Sequence, residues 1–187
     1  MEGLEFYTCE NELWCKTDDG KNFLVDDSET ELVTSVLMKI RDCYPDAYKS
    51  LENIYQKSSA NNAYYKYLMV RRFCKCNFSN LDTTKYDIED IDRSGNFNFE
   101  KVSCPMRGEC MHEGVICMPR FNSKLSPAEN RVMRLLYKGL NKEQIAEELF
   151  ISPETVNNHI KNSYYKLGVH EKAEFYRKAK ENNMFND

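Results

Sequence analysis

Five of the chain's eight cysteines lie where their thiols could share one ion: Cys74-x-Cys76, then Cys104-x5-Cys110-x6-Cys117 beyond an expected hairpin. Residues 103–119 (SCPMRGECMHEGVICMP) also hold two glycines and two prolines, which turn the backbone back on itself. Such a stretch buries little apolar surface, so something else must hold it. Four thiolates suit a tetrahedral zinc ion or an iron–sulfur cluster. The set favoured here is Cys76, Cys104, Cys110 and Cys117, with a structural zinc ion as cofactor. The spacing matches neither a Cys-x2-Cys ribbon nor a ferredoxin run, so an iron–sulfur cluster is the alternative. Cys74 follows Phe73 at the end of an expected helix and is assigned to the core, although the choice between Cys74 and Cys76 stays open at this point. His112 is a reserve ligand. Cys9, Cys15 and Cys43 stand alone and read as small hydrophobes.

Other chemistry is thin. Asp90-x-Asp92-x-Ser94-Gly95 starts like a calcium loop, but its acid arrives at position 11 as Glu100, one residue early. No nucleophile–base pair, glycine-rich phosphate loop or His-Glu-x-x-His motif is present, and the chain is not expected to be an enzyme.

The elements that must position these residues follow from composition and pattern. At 187 residues the chain has room for one or two domains. Charged residues make up 30% and hydrophobic ones 41%, an ordinary globular balance. No apolar run is long enough for a membrane span, and the N-terminus lacks a basic-then-apolar export pattern. The expected location is the cytoplasm of a bacterial, or phage-infected bacterial, cell. Charge is uneven: residues 1–119 carry 14 Lys/Arg against 21 Asp/Glu, while residues 120–187 carry 12 against 9. A polyanion would meet the tail.

Residues 4–25 alternate apolar and polar around Glu10-Asn11 and Asp18-Asp19-Gly20, which predicts a short β-meander. Leu32, Val33, Val36, Leu37 and Ile40 then fall at helical spacing. A second helix is predicted from Pro45 to about Lys57, burying Tyr48, Leu51, Ile54 and Tyr55. A third runs from about Asn61 to Arg71, with Tyr64, Tyr67 and Leu68 inward. Residues 85–102 read as a hairpin, with Tyr86 and Ile88 facing Phe97 and Phe99 across Asp92–Gly95. The fold class is mainly α with a small β component (α+β). Its expected domains are an N-terminal α+β module at 1–103, a Cys-rich connector at 104–119 whose metal site is shared with Cys76, and a helical domain at 125–187.

That last domain holds four helical segments. The first opens at Ser126-Pro127 and turns Val132, Met133, Leu135 and Leu136 inward. The second, about Lys142–Leu149, buries Ile145, Ala146 and Leu149. A tight turn leads to the cap Ser152 and a third helix at about 153–167, burying Val156, Ile160, Ser163/Tyr164 and Leu167. A fourth covers about His170–Lys180. Two short helices joined by a three-residue turn, the second with a polar outer face, make a helix-turn-helix.

Leu125, Ser126, Pro127, Glu129, Gly139, Ile145, Ala146, Leu149, Ile151, Ser152, Thr155, Val156, His159, Lys166, Leu167, Gly168 and Val169 follow one another in a familiar register. The segment resembles the LuxR-type (GerE-like) helix-turn-helix of transcriptional regulators, with 17 matches across 45 residues. The resemblance implies sequence-specific binding of double-stranded DNA, with the third helix in the major groove. It puts base contacts on Asn157, Asn158 and Lys161, while the outward face adds Asn162 and Tyr165. Thr155 and the helix N-terminus would hold phosphate. Asn pairs bidentately with adenine, and Lys donates to guanine or phosphate. Asn157 stands where the family often has a basic residue, which implies weak non-specific affinity. His159 reads as a packing or phosphate-contacting residue. A homodimer through the last helix would use Phe175, Tyr176 and Ala179, which could equally pack within one chain. The alternative function is an adaptor, or sigma-like factor, that grips RNA polymerase with the helical tail. The N-terminal half lacks the five buried apolar strands of a phosphorylated receiver domain.

Overall fold

The computed structural model describes residues 3–78, 89–93, 95–182 and 184–185. Two compact units divide at Arg120 and Phe121. The architecture is mainly α with one small sheet, as expected from the sequence.

The first unit opens with the meander: β1 (Leu4–Cys9), β2 (Glu12–Thr17) and β3 (Asn22–Leu24), antiparallel in that order. Phe6 pairs with Cys15 and Tyr7 with Trp14. Period-two alternation puts Leu4, Phe6, Leu13 and Cys15 on the buried face. On the other face Tyr7 and Trp14 stack at 6.4 Å. The two-residue turn places Glu10 and Asn11 at φ 49° and 70°, the left-handed conformation that matches strand twist in a tight hairpin. Ile91 adds an antiparallel bridge beside Leu4 and another to Phe97. The expected partners Tyr86 and Ile88 lie outside the described residues.

Three helices follow, of which α3 packs on the sheet while α1 and α2 pack against α3: α1 (Thr30–Cys43), α2 (Pro45–Tyr55, followed by a 3-10 turn at Gln56–Ser58) and α3 (Asn62–Asn77). In α1 the buried stripe is Val33, Val36, Leu37 and Ile40, at the expected spacing. Two expectations need correction. In α2 only Ala47 and Leu51 are buried, and Ile54 is exposed. In α3 Tyr64 is exposed as well and Tyr67 and Leu68 are half-buried; the helix runs on to Asn77, and its buried stripe is Met69, Val70, Phe73, Cys74 and Asn77. The helix thus passes the expected end at Arg71, and the i, i+3, i+4 series continues through Arg71-Arg72. Phe73 joins Tyr44, Phe78, Phe97 and Phe99 in an aromatic core, with Phe73 and Phe97 5.6 Å apart and Tyr44 and Phe97 5.7 Å apart.

The calcium-like segment is used for structure. Asp90 is buried and accepts the Phe6 N–H, while Asp92 accepts from the backbone and side-chain amides of Asn96.

The second unit holds α4 (Pro127–Tyr137), α5 (Lys142–Leu149), α6 (Pro153–Leu167) and α7 (Lys172–Glu181). Its core joins Val132, Met133 and Leu136 of α4, Ile145 and Ala146 of α5, Val156, Ile160 and Leu167 of α6, and Phe175 and Ala179 of α7. Among the described residues no helix is long and apolar enough to cross a membrane.

Candidate nucleic-acid interface and cysteine cleft

Local caps fix the two helices that matter. At α5, Asn141 accepts the Gln144 N–H at 2.8 Å and Gln144 returns its carbonyl to the Asn141 N–H at 2.9 Å. This capping box satisfies two N-terminal donors that would otherwise lack partners. Phe150 ends α5 in the left-handed region at φ 54° and swings the chain into Ser152. Ser152 caps α6 by accepting the Thr155 N–H at 3.1 Å, and the two hydroxyls lie 2.8 Å apart.

With Val156, Ile160, Ser163 and Leu167 turned inward, helical geometry sends the intervening residues outward. Asn157, Asn158, Lys161, Asn162 and Tyr165 are all exposed, and Thr155 is half-buried at the first turn. Tyr165 keeps 89% of its surface in solvent. A concave groove of about 940 Å³ runs along this face, lined in part by Asn157, Lys161, Tyr165, Lys142 and Lys172. One contact was not legible in the sequence: Lys142 Nζ of α5 donates to Asn157 Oδ1 at 2.7 Å. That bond fixes which end of the amide turns toward the lysine.

Behind the face, Glu129 ties α4 to α6. Its carboxylate accepts the Ser126 N–H at 2.7 Å and the Lys166 ammonium at 2.6 Å, and it is buried. The Lys166 ammonium, followed by the Ser126 amide, holds this carboxyl below the usual glutamate range. The motif acid and the motif lysine, 37 positions apart, are thus one structural bond.

The bacterial regulatory protein family named luxR matches residues 123–179. Residues 123–179 are a LuxR-family helix-turn-helix domain. Over 55 residues this chain is 40% identical to a putative HTH-type transcriptional regulator of Mycobacterium bovis, covering 29% of this chain and 6% of that protein. Over 57 residues it is 40% identical to the HTH-type transcriptional regulator MalT of Yersinia pestis, covering 30% of this chain and 6% of that one. The likeness to both is therefore confined to the helix-turn-helix, and the chain spans only 6% of these relatives' length. No solved structure matches the chain. Within the LuxR domain, α7 turns Phe175 and Ala179 into the core, and the Tyr176 hydroxyl donates to the Leu136 carbonyl. All three residues contribute to the packing of this unit.

The cysteines divide by environment. Cys15 and Cys74 are fully buried in the first unit. Burial, reinforced by Asp90, pushes the Cys15 thiol up to about 12 and the Cys74 thiol well above its usual value. Cys76, one residue short of the end of α3, instead lines a cleft of about 420 Å³ with Cys104, Cys110 and Cys117. Burial raises the Cys76 thiol, Arg72 opposes the shift, and Cys117, Cys104 and Cys110 add to it. Among the described residues no three His, Cys, Asp or Glu side chains stand close enough to hold a metal ion as they are placed. His112, the reserve ligand, lines the same cleft, and its Nδ1 lies 2.9 Å from the Ser50 hydroxyl of α2.

A residue that sequence reasoning missed organises the cleft's wall. Asn77 is fully buried, donates to the Phe73 and Ile116 carbonyls at 2.9 Å each, and accepts the Met118 N–H at 2.8 Å. It staples the end of the Cys-rich segment to the end of α3. A buried amide with every group paired is inexpensive, whereas an unpaired one is not. Nothing in the local pattern marks it, since its partners are 39 and 41 residues away.

Proposed function

We propose that this chain is a DNA-binding transcription regulator that works without catalysis in the bacterial cytoplasm. Its α6 would enter the major groove of double-stranded DNA. The carrying observation is the outward face of α6: Asn157, Asn158, Lys161, Asn162 and Tyr165 project together from a helix held by its own cap and core. Asn157 and Asn158 would read base edges, Lys161 would take guanine or phosphate, and Thr155 with the first turn would take phosphate. Lys142 is a positioning residue in this reading. By holding Asn157 Oδ1, it leaves Nδ2 to donate toward a purine N7.

The test uses full-length protein and an operator selected from random duplexes, read by fluorescence anisotropy across salt concentrations. Affinity should fall steeply with salt, by a slope of about −0.9 for each phosphate neutralised. Asn157→Ala should cost about 1–3 kcal/mol and relax preference at one base pair, and Lys142→Met should give a smaller loss at that same pair. Lys161→Ala should weaken binding or lower the salt slope. Unchanged binding by the Asn157 variant refutes the placement of α6.

A second reading rests on Phe150, whose ring is 95% exposed on the α5–α6 turn. An aromatic held out this far suits a protein partner such as RNA polymerase. Retention of polymerase without DNA binding, lost in Phe150→Ser, would favour that adaptor role.

A further inference from the structure

The Cys-rich segment of the first unit lacks the usual means of staying folded. Between Ser103 and Met118 only Ile116 is buried, and the segment forms turns rather than helix or strand. Its internal bonds are short-range: the Cys110 N–H to the Met106 carbonyl at 2.9 Å, the Glu113 N–H to the Cys110 carbonyl at 3.0 Å, and the Ile116 N–H to the His112 carbonyl at 3.0 Å. Bonds of this kind contribute about 1 kcal/mol each and do not offset the entropy of ordering so many residues. Yet the segment is wound so that Cys104, Cys110 and Cys117 all line one cleft, opposite Cys76 on the rigid end of α3. Cys110 and Cys117 are half-buried there and Cys104 stands at its exposed rim.

We propose that Cys76, Cys104, Cys110 and Cys117 bind one zinc ion as a tetrathiolate that locks the Cys-rich segment onto α3. Each thiol gives up its proton on coordination, so loading releases protons to solvent. Among the described residues no three such ligands are grouped closely enough to hold an ion, so binding requires the segment to draw inward. Its ends are already fixed, by Asn77 at Ile116 and Met118 and by Arg107, which donates to the Val102 carbonyl at 2.8 Å. Between them Gly108 and Gly114 turn at φ 87° and 71° with no described residue within 4 Å of a would-be Cβ, which leaves room for that movement.

The surrounding charge fits. A zinc tetrathiolate carries a net double negative charge, and the cleft wall carries Arg71, Arg72, Lys75 and Arg107. Arg71 and Lys75 donate to Asn11, and Arg107 to Val102 and Glu113. Arg72 differs: its Nε is buried without a hydrogen-bond partner among the described residues. A metal-bound thiolate is the acceptor this N–H lacks, and N–H···S bonds of this sort tune such sites. All four cysteines lie in the first unit, so the ion would stabilise that unit internally.

The full-length protein, expressed with zinc present and purified anaerobically without chelator, tests this by elemental analysis. One zinc per chain is expected, with loss in Cys104→Ser and in Cys117→Ser and retention in Cys9→Ser, whose thiol is exposed and far from the set in sequence. Replacement by cobalt(II) should give the intense visible bands of tetrahedral thiolate coordination. Cys110→His should keep the metal with weaker sulfur-to-metal charge transfer, a readout that stands even if a serine variant fails to fold. No metal in the wild-type protein, or undiminished zinc in both serine variants, overturns the proposal. Iron with acid-labile sulfide overturns the assignment to zinc.

Discussion

The bond between Glu129 and Lys166 gives the sharpest quantitative expectation. Glu129 serves two partners at once, the Ser126 amide at the start of α4 and the Lys166 ammonium near the end of α6. Replacing it by alanine strips a half-buried amide and an exposed ammonium of their acceptor. Charge-assisted bonds of this type contribute about 1.5–3 kcal/mol each, and part of the second is recovered by solvent around Lys166. The expected loss for Glu129→Ala is about 3 kcal/mol. Glu129→Gln differs, because a glutamine already closes the same box at α5 through Gln144. It should keep the Ser126 bond, lose only the charge toward Lys166, and cost about 1.4 kcal/mol. Hydrogen exchange of the full-length protein reads this locally: amides of α4–α6 should exchange roughly 100-fold faster in the alanine variant and roughly 10-fold faster in the glutamine variant, at 1.4 kcal/mol per decade. The amides of β1–β3 serve as the internal reference. The pH dependence follows from the sign of the shift. A carboxyl held below its unfolded value contributes stability that is full above about 4.3, the ordinary glutamate range, and fades as the pH drops through the folded value. The glutamine variant should lose this acid-side dependence. Equal losses in the two variants, or an unchanged acid limb in the glutamine variant, would refute the division of labour between cap and ion pair.

Two further outcomes test the first unit. Native-state alkylation at mildly alkaline pH should leave Cys15 and Cys74 unmodified while Cys9 reacts, because both buried thiols are closed to reagent and held far above their thiolate range; mass spectrometry of peptides reads it, and modification of Cys74 without unfolding would contradict its place in the core. Phe97→Ala should destabilise that unit by about 3–5 kcal/mol, since its ring lies among Tyr44, Phe73, Phe78 and Phe99; a loss under 1 kcal/mol in denaturant unfolding followed at Trp14 would mean that the aromatic cluster is loosely packed.

The LuxR domain was legible because its signals are local. Caps sit within three residues of the amides they satisfy, and each helix buries a stripe readable at helical spacing. The motif residues prove to be mainly structural: Ser126 and Ser152 cap, Glu129 and Lys166 bond to each other, and Ile145, Ala146, Val156 and Leu167 fill the core. Those proposed to read bases, Asn157, Asn158 and Lys161, lie between the motif positions on the face that packing leaves free. The meander was legible for the same reason, since alternation and a two-residue turn set its register.

What the sequence could not decide depends on partners far away along the chain. Whether α3 ends at Arg71 or Asn77 rests on Phe73 entering an aromatic core assembled from Tyr44, Phe97 and Phe99. Ile54 and Tyr64 look buried by residue type but stay partly in solvent, because the buried stripes of α2 and α3 run through Ala47 and Leu51 and through Met69, Val70 and Phe73. Asn77 and the Lys142–Asn157 bond carry no periodic signal, because a hydrogen bond is specified by two atoms meeting in space. Cys74 and Cys76 are two residues apart and chemically identical. A turn of about 100° per residue along α3 sends one thiol into the core and the other to the cleft, and only the packing around the helix sets which.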